Sequence, residues 1–287
     1  ERLWIGSYNG LSAFELETGV FTNYLAGEYG LSNSVVVAVT SDRDGTIWVG
    51  TLRGLNRLDP ETGRVEQIDV PGGVVRDIEM DGTGTLWLGT YEGLYRISRD
   101  GDGEGATLER VEIELPSQAV MTIRETEPGV LQLGCWDGGI VTYQVDSGRT
   151  EEMILPDNRI YAMTETRDGI LWVGTWGGGL YALEPSGELT HFSGDPESGD
   201  LANSIVYALF QDASDILWIG TNGGGLQKVS PRKRDFRRFD HEKSSPRALP
   251  RGKVNVITRD PQGTLWFGLY NGGLNRFVES ENRIVTY

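Results

Sequence analysis

The segment LWVGTWGGGLYAL, residues 171–183, recurs with variation seven times in a chain of 287 residues. LWIGSYNGLSAF begins at Leu3, IWVGTLRGLNRL at Ile47, LWLGTYEGLYRI at Leu86 and LQLGCWDGGIVTY at Leu131. LWIGTNGGGLQKV begins at Leu217 and LWFGLYNGGLNRF at Leu265. The central positions, Trp4, Trp48, Trp87, Gln132, Trp172, Trp218 and Trp266, lie 44, 39, 45, 40, 46 and 48 residues apart. A repeat of this period constrains the fold more than any other feature, because each unit can bury its faces only against its neighbours.

Each unit parses into four short strands. An apolar run such as Val35 to Val39 or Ile205 to Leu209 comes first, and an Asp/Gly turn follows, DRDG at 42–45 or DPQG at 260–263. The LWxGT strand, a Gly-rich turn, a GLxxL strand and a closing strand such as FTNY, LTHF or FRRF complete the unit. Short strands between Gly, Asp and Asn turns read as antiparallel hairpins. Strands apolar on both faces need cover on both, and sheets packed radially supply it while leaving few free edges. The pattern predicts an all-β, seven-bladed β-propeller of four-stranded antiparallel blades. The first strand occurs only six times, since the chain begins too late for it in blade 1, which implies a propeller cut at both ends and excised from a longer chain. The blades are placed at about 1–33, 34–71, 72–117, 118–156, 157–203, 204–251 and 252–287 of a single domain.

Composition narrows the function. The 40 glycines sit mostly at fixed repeat positions, so they are turn chemistry and not low complexity. A formal net charge of -16 argues against a nucleic-acid partner. One cysteine, Cys135, excludes an internal disulfide, and no apolar run is long enough to span a membrane.

The motif D-x-x-G-x-L-W-x-G-T-x-x-G-G-L closely resembles the two-component regulator propeller repeat. DRDGTIWVGTLRGL (42–55), RDGILWVGTWGGGL (167–180) and PQGTLWFGLYNGGL (261–274) carry it best, and the linkers GLSNSVVVAV and LANSIVYALF fit the same family. Blade 4 departs from it with Gln132 for Trp and Cys135 for Thr. The resemblance implies the periplasmic or extracellular sensor of a bacterial hybrid two-component histidine kinase. It implies a glycan fragment as ligand, signalling domains downstream, and signalling through a homodimer.

Residues the repeat dictates are poor site candidates. The recurring Trp is a blade filler. Asp42, Asp44 and Asp168 read as turn-fixing residues, and Gly178 and Gly179 as turn residues with positive φ. The informative positions follow LWxGT: Tyr8, Leu52, Tyr91, Trp136, Trp176, Asn222 and Tyr270, then Asn9, Arg53, Glu92, Asp137, Gly177, Gly223 and Asn271. Five of the first seven are aromatic, and aromatic faces beside hydrogen-bonding side chains are what sugar rings bind. Arg76, Arg159, Tyr161, Tyr207 and Asn255 interrupt the aliphatic first strands, with Arg76 and Arg159 either facing a ligand or pairing with Asp77 and Asp157. The candidate ligand-binding set is therefore Tyr8, Asn9, Arg53, Arg76, Tyr91, Glu92, Trp136, Asp137, Arg159, Trp176, Asn222, Tyr270 and Asn271.

Other signals are weaker. DGDGEG (100–105) begins like a calcium loop but has Val111 where the bidentate Glu belongs. PRKRDFRR (231–238) reads as an exposed outer strand able to touch an acidic partner domain. Two histidines, His191 and His241, and no nucleophile, phosphate-loop or metal motif give a thin catalytic inventory. The expectation is a non-catalytic sensor without cofactor or metal, with no membrane contact by this segment. The alternatives are an enzyme of the virginiamycin B lyase type and a protein-interaction scaffold.

Overall fold

The computed structural model describes residues 1–28, 30–99, 106–195, 200–230, 236–239 and 248–287. The acidic stretch 100–105, the basic residues 231–235 and His241 lie outside the described residues. The chain divides into two compact units, Glu1–Leu155 and Pro156–Tyr287.

The first unit carries four blades. Blade 1 is β1 (Arg2–Ser7), β2 (Gly10–Glu15) and β3 (Phe21–Tyr24). Blade 2 is β4 (Val36–Ser41), β5 (Ile47–Thr51), β6 (Gly54–Leu58) and β7 (Val65–Ile68). Blade 3 is β8 (Val75–Met80), β9 (Leu86–Thr90), β10 (Gly93–Arg99) and β11 (Ala106–Arg110). Blade 4 is β12 (Val120–Glu127), β13 (Val130–Cys135), β14 (Gly139–Gln144) and β15 (Thr150–Met153). The second unit carries three. Blade 5 is β16 (Ile160–Glu165), β17 (Leu171–Thr175), β18 (Leu180–Leu183) and β19 (Leu189–Phe192). Blade 6 is β20 (Val206–Gln211), β21 (Leu217–Thr221), β22 (Leu226–Val229) and β23 (Phe236–Phe239). Blade 7 is β24 (Lys253–Arg259), β25 (Leu265–Tyr270), β26 (Gly273–Val278) and, after a 3-10 turn at Glu279–Glu281, β27 (Arg283–Thr286). Within every blade, sequential strands pair antiparallel. The fold is the seven-bladed all-β propeller that the repeat predicts, and among the described residues blade 1 alone has three strands.

Hydrophobic layers form where successive blades of one unit face each other. Trp48 and Leu55 of blade 2 meet Val75, Ile78 and Leu88 of blade 3, and Trp172 and Leu180 of blade 5 meet Val206 and Ile219 of blade 6. The Gly of LWxGT makes these layers close. A Cβ on Gly174 would sit 2.6 Å from Val206 Cγ1, and one on Gly220 would sit 2.6 Å from the Val254 carbonyl oxygen. Glycine is required there by the next blade's first strand.

In blades 2, 3, 6 and 7 an Asp six residues before the repeat Trp does two jobs. Asp212 accepts the Ser214 and Ile216 backbone N–H groups at 2.8 and 3.0 Å and the Trp218 indole N–H at 2.7 Å. Asp42, Asp81 and Asp260 take their indole N–H groups at 2.9, 2.8 and 2.8 Å. Burial would raise the Asp81 carboxyl, but bonds from Thr83 and Trp87 outweigh it and hold it below its ordinary value. In blade 5 Thr166 stands in: its hydroxyl takes the Trp172 indole at 3.3 Å and donates to Asp168 at 2.6 Å. The turn-residue reading needs one correction. Gly179 has a φ of 85°, as expected, but Gly178 is not among the positive-φ residues. A Cβ on Gly178 would overlap the Asp157 side chain, so space and not φ selects glycine there.

Each of the six first strands carries a register shift just after its first buried residue: Val36/Ala38, Val75/Asp77, Val120/Thr122, Ile160/Ala162, Val206/Ala208 and Val254/Val256. The bulged residues are Val37, Arg76, Met121, Tyr161, Tyr207 and Asn255. A bulge removes one residue from ladder pairing and re-aims its side chain, which is why this column tolerates such different residues.

Candidate functional site

In the second unit, two bulged residues and the residue after LWVGT meet. Tyr161 of β16 lies 5.3 Å from Trp176 and 5.1 Å from Tyr207 of β20, ring centroid to centroid, and Trp176 lies 5.4 Å from Tyr207. Tyr161 and Trp176 are tilted by 39°, while Tyr207 stands edge-on to both, at 83° and 88°. Such edge-to-face contacts are the favourable arrangement for aromatic quadrupoles. Trp176 is fixed at both ends of its backbone, donating its N–H to the Arg159 carbonyl at 3.0 Å and bridging to Ile205 at the entry to β20. All three rings are half-buried.

Lys253, the first residue of β24, extends this group into blade 7. Its ammonium lies 3.4 Å from the Tyr207 hydroxyl, 5.6 Å from the Tyr207 ring centroid and 5.7 Å from that of Tyr270. Tyr270 itself is 37% exposed at the end of β25. The result is an aromatic platform with a cation seated on it.

The other expected residues of this unit lie in the loops and first strands of the same three blades. Arg159 forms a two-point pair with Asp157, at 3.0 and 2.7 Å. Burial would raise the Asp157 carboxyl, but Arg159 outweighs it and holds it below its ordinary value. Asn222, half-buried, donates its backbone N–H to the Ile205 carbonyl at 3.0 Å. Asn271 is exposed with a φ of 61°, a left-handed turn position at which Asn is well tolerated. Asn255 is exposed.

The first unit arranges its candidates around blade 3. Tyr91, 47% exposed, and Glu92 stand at one side of a cleft of about 660 Å³, with Tyr95, Leu108, Arg110 and Gln118 completing the wall. Arg110 donates to the Gln118 side-chain oxygen at 3.1 Å. Tyr8, 56% exposed, and Asn9 lie in the corresponding loop of blade 1, and Arg53 is exposed in that of blade 2. Ser7, Thr51 and Thr90 tie these loops down, each hydroxyl accepting the backbone N–H two residues on. Trp136 is half-buried, its N–H bonded to the Ala119 carbonyl at 2.8 Å, and Asp137 is exposed with a φ of 57°.

Arg76 is half-buried and begins a charged group on β8 and β12. Asp77 accepts the Ile123 N–H at 2.7 Å and the Ile78 N–H at 2.9 Å, and burial pushes its carboxyl up. Glu79 is pushed up to about 7, first by burial and then by the Asp77 charge, with Glu125 adding to the effect and Arg124 opposing it. A carboxyl there can exchange protons at neutral pH. Cys135, which replaces the repeat Thr, is buried and pushed up to about 12. His191 stacks on Tyr181 and bonds the Gly178 carbonyl at 2.6 Å, on the closing strand of blade 5. Among the described residues no cluster of three or more metal-binding side chains occurs.

Sequence reasoning did not single out Lys253, Glu79, Arg110 or Gln118. Lys253 had a usable signal. The residue before the first buried position of each first strand is Val35, Val74, Ala119, Arg159, Ile205 or Lys253, so the two cations break one column. Glu79 had none, because its behaviour depends first on burial, which the packed blades set.

The family model described as two component regulator propeller matches residues 30–53, 69–92, 154–177, 200–223 and 248–271. Each match runs from before a first strand to the loop after LWxGT, the two places that build the sites above. Solved structures share the fold, among them these three. The extracellular domain assigned to the hybrid two component system BT3049 of B. thetaiotaomicron is 22% identical with a TM-score of 0.78, over 96% of this chain and 38% of its own. That assigned to the one component system BT4673 of the same organism is 19% identical with a TM-score of 0.58, over 100% of this chain and 45% of its own. The chain thus spans less than half of either. Virginiamycin B lyase from Staphylococcus aureus is 18% identical with a TM-score of 0.68, over 88% of this chain and 83% of its own, and a catalytically inactive variant of it has been solved with quinupristin. No curated protein sequence matches the chain. The lyase match corrects the expectation of a non-catalytic propeller. The same fold, over most of this chain, is that of an enzyme, so a short list of histidines does not remove catalytic capacity.

Proposed function

We propose that this chain, five segments of which match the two component regulator propeller model, is the ligand-sensing propeller of a bacterial two-component receptor. It acts in the periplasm or outside the cell, binds a glycan fragment and passes the signal to domains of the longer receptor. The likeness to the two extracellular domains supports the setting. The observation that carries the ligand is the Tyr161–Trp176–Tyr207 platform, bordered by Tyr270 and Lys253. Half-buried rings offer apolar faces to sugar C–H groups, and the neighbouring Asn222 and Lys253 offer partners to hydroxyls.

An oligosaccharide panel followed by titration calorimetry tests this. Trp176→Ala is expected to weaken binding at least tenfold, on the order of 1.4 kcal/mol or more, with circular dichroism unchanged. Unchanged binding in Trp176→Ala would remove the platform as the site.

The lyase fold favours a second reading, an enzyme. Glu79, at about 7, is the group in the first unit best suited to general acid–base work. Turnover by the native chain that is lost in Glu79→Gln would support it.

A further inference from the structure

Resting on the glycan reading, we infer that the platform of the second unit is built for an acidic oligosaccharide, one whose uronate carboxylate is received by Lys253. The argument starts from what Lys253 has and lacks. Lys253 is half-buried, its ammonium lies beside the Tyr207 and Tyr270 rings, and it spends one donor on the Tyr207 hydroxyl. Cation–π attraction to two rings keeps the charge in place at modest cost. Among the described residues no carboxylate lies within ion-pair distance of it. Arg159, the other cation of the same column, is already neutralised by the two-point contact with Asp157. The two therefore differ in kind: Arg159 braces a loop, while Lys253 presents two remaining N–H donors beside an aromatic surface.

That combination discriminates by charge. A neutral sugar stacked on Trp176 or Tyr207 would cover the ammonium further and give it no counter-charge, which is costly. A carboxylate on the sugar ring would complete a charge-assisted hydrogen bond in the same place. The chain's formal net charge of -16 removes the trivial explanation, general attraction of polyanions. An acid that binds must do so at a local cation.

Calorimetry with matched probes tests this. The probes are tri-galacturonate, a hyaluronan tetrasaccharide, and the carboxyl-reduced form of each, which keeps the rings and loses the charge. At least one acid is expected to bind about tenfold or more tighter than its reduced form. Lys253→Met should bring that ratio close to one, and Lys253→Arg should retain the preference. Equal binding of acid and reduced forms, or a preference that survives in Lys253→Met, overturns the assignment. Neutral oligosaccharides binding in the absence of acid binding overturns it too but leaves the glycan reading standing. Failure of every acidic and neutral sugar overturns both.

Discussion

At the scale of single residues, the repeat is a set of small obligations. The Trp must be large to fill the space between blades, and once buried its indole N–H must be satisfied. The Asp six positions earlier satisfies it and closes the turn with the same carboxylate. Asp212→Ala is expected to cost about 2–4 kcal/mol, since it orphans a buried donor and the turn N–H groups together. Asp212→Asn should cost less, and urea denaturation distinguishes the two. Gly174→Ala forces a Cβ against Val206 and should cost about 1–3 kcal/mol, with Val206→Ala partly restoring stability in the double variant. Cys135, buried and pushed up to about 12, should resist thiol reagents in the native chain and react only on unfolding.

At the scale of elements, the first strand is the informative one. Its bulge is repeated six times, and it frees one residue per blade from the packing that fixes the others. Blades 5 and 6 use that freedom for Tyr161 and Tyr207, and blade 3 uses it for Arg76. Packing of β8 beside β12 also creates the Glu79 environment, which Asp77, Glu125, Arg76 and Arg124 share. With its carboxyl at about 7 against an ordinary 4.5, Glu79 holds a proton in the folded chain that the unfolded chain releases. Its contribution to stability is present in full below pH 4.5 and is lost as the pH rises through about 7. After allowance for partial solvent screening this amounts to about 2 kcal/mol. Glu79→Gln should therefore raise the thermal midpoint at pH 8.5 by roughly 2–5 °C and leave it nearly unchanged at pH 4.5. A variant equally stabilised at both pH values would show that burial, not ionisation, sets the difference.

At the scale of the whole molecule, charge and repetition act together. Forty-two acidic against 26 basic residues leave -16 to be held in a compact fold. Self-repulsion of that size is screened by salt, so the melting midpoint should rise between about 10 and 200 mM sodium chloride, where the Debye length falls below about 10 Å. A midpoint that falls with salt would show that attractive ion pairs such as Arg167–Asp215 dominate instead. The fold is shared by extracellular receptor domains and by a lyase, so what separates those roles is the side chains that the first strands and the loops after LWxGT present.

The sequence by itself determined the architecture, since a seven-fold repeat of 39–48 residues dictates strand count, hairpin order and the missing first strand of blade 1. It also marked the columns in which Tyr161, Trp176 and Tyr207 stand out, because a repeat makes departures visible. The tertiary structure alone decided which departures meet. Tyr161, Trp176, Tyr207 and Lys253 come from three blades and are up to 92 residues apart in the chain, and only the packing of β16, β20 and β24 brings them within contact. Glu79 is the limiting case: its proton affinity comes first from burial, which only the packed blades set, then from the Asp77 charge on its own strand and from Glu125 on a neighbouring blade. Local pattern fixes which elements form; electrostatics and ring contacts depend on distances that only the assembled blades define.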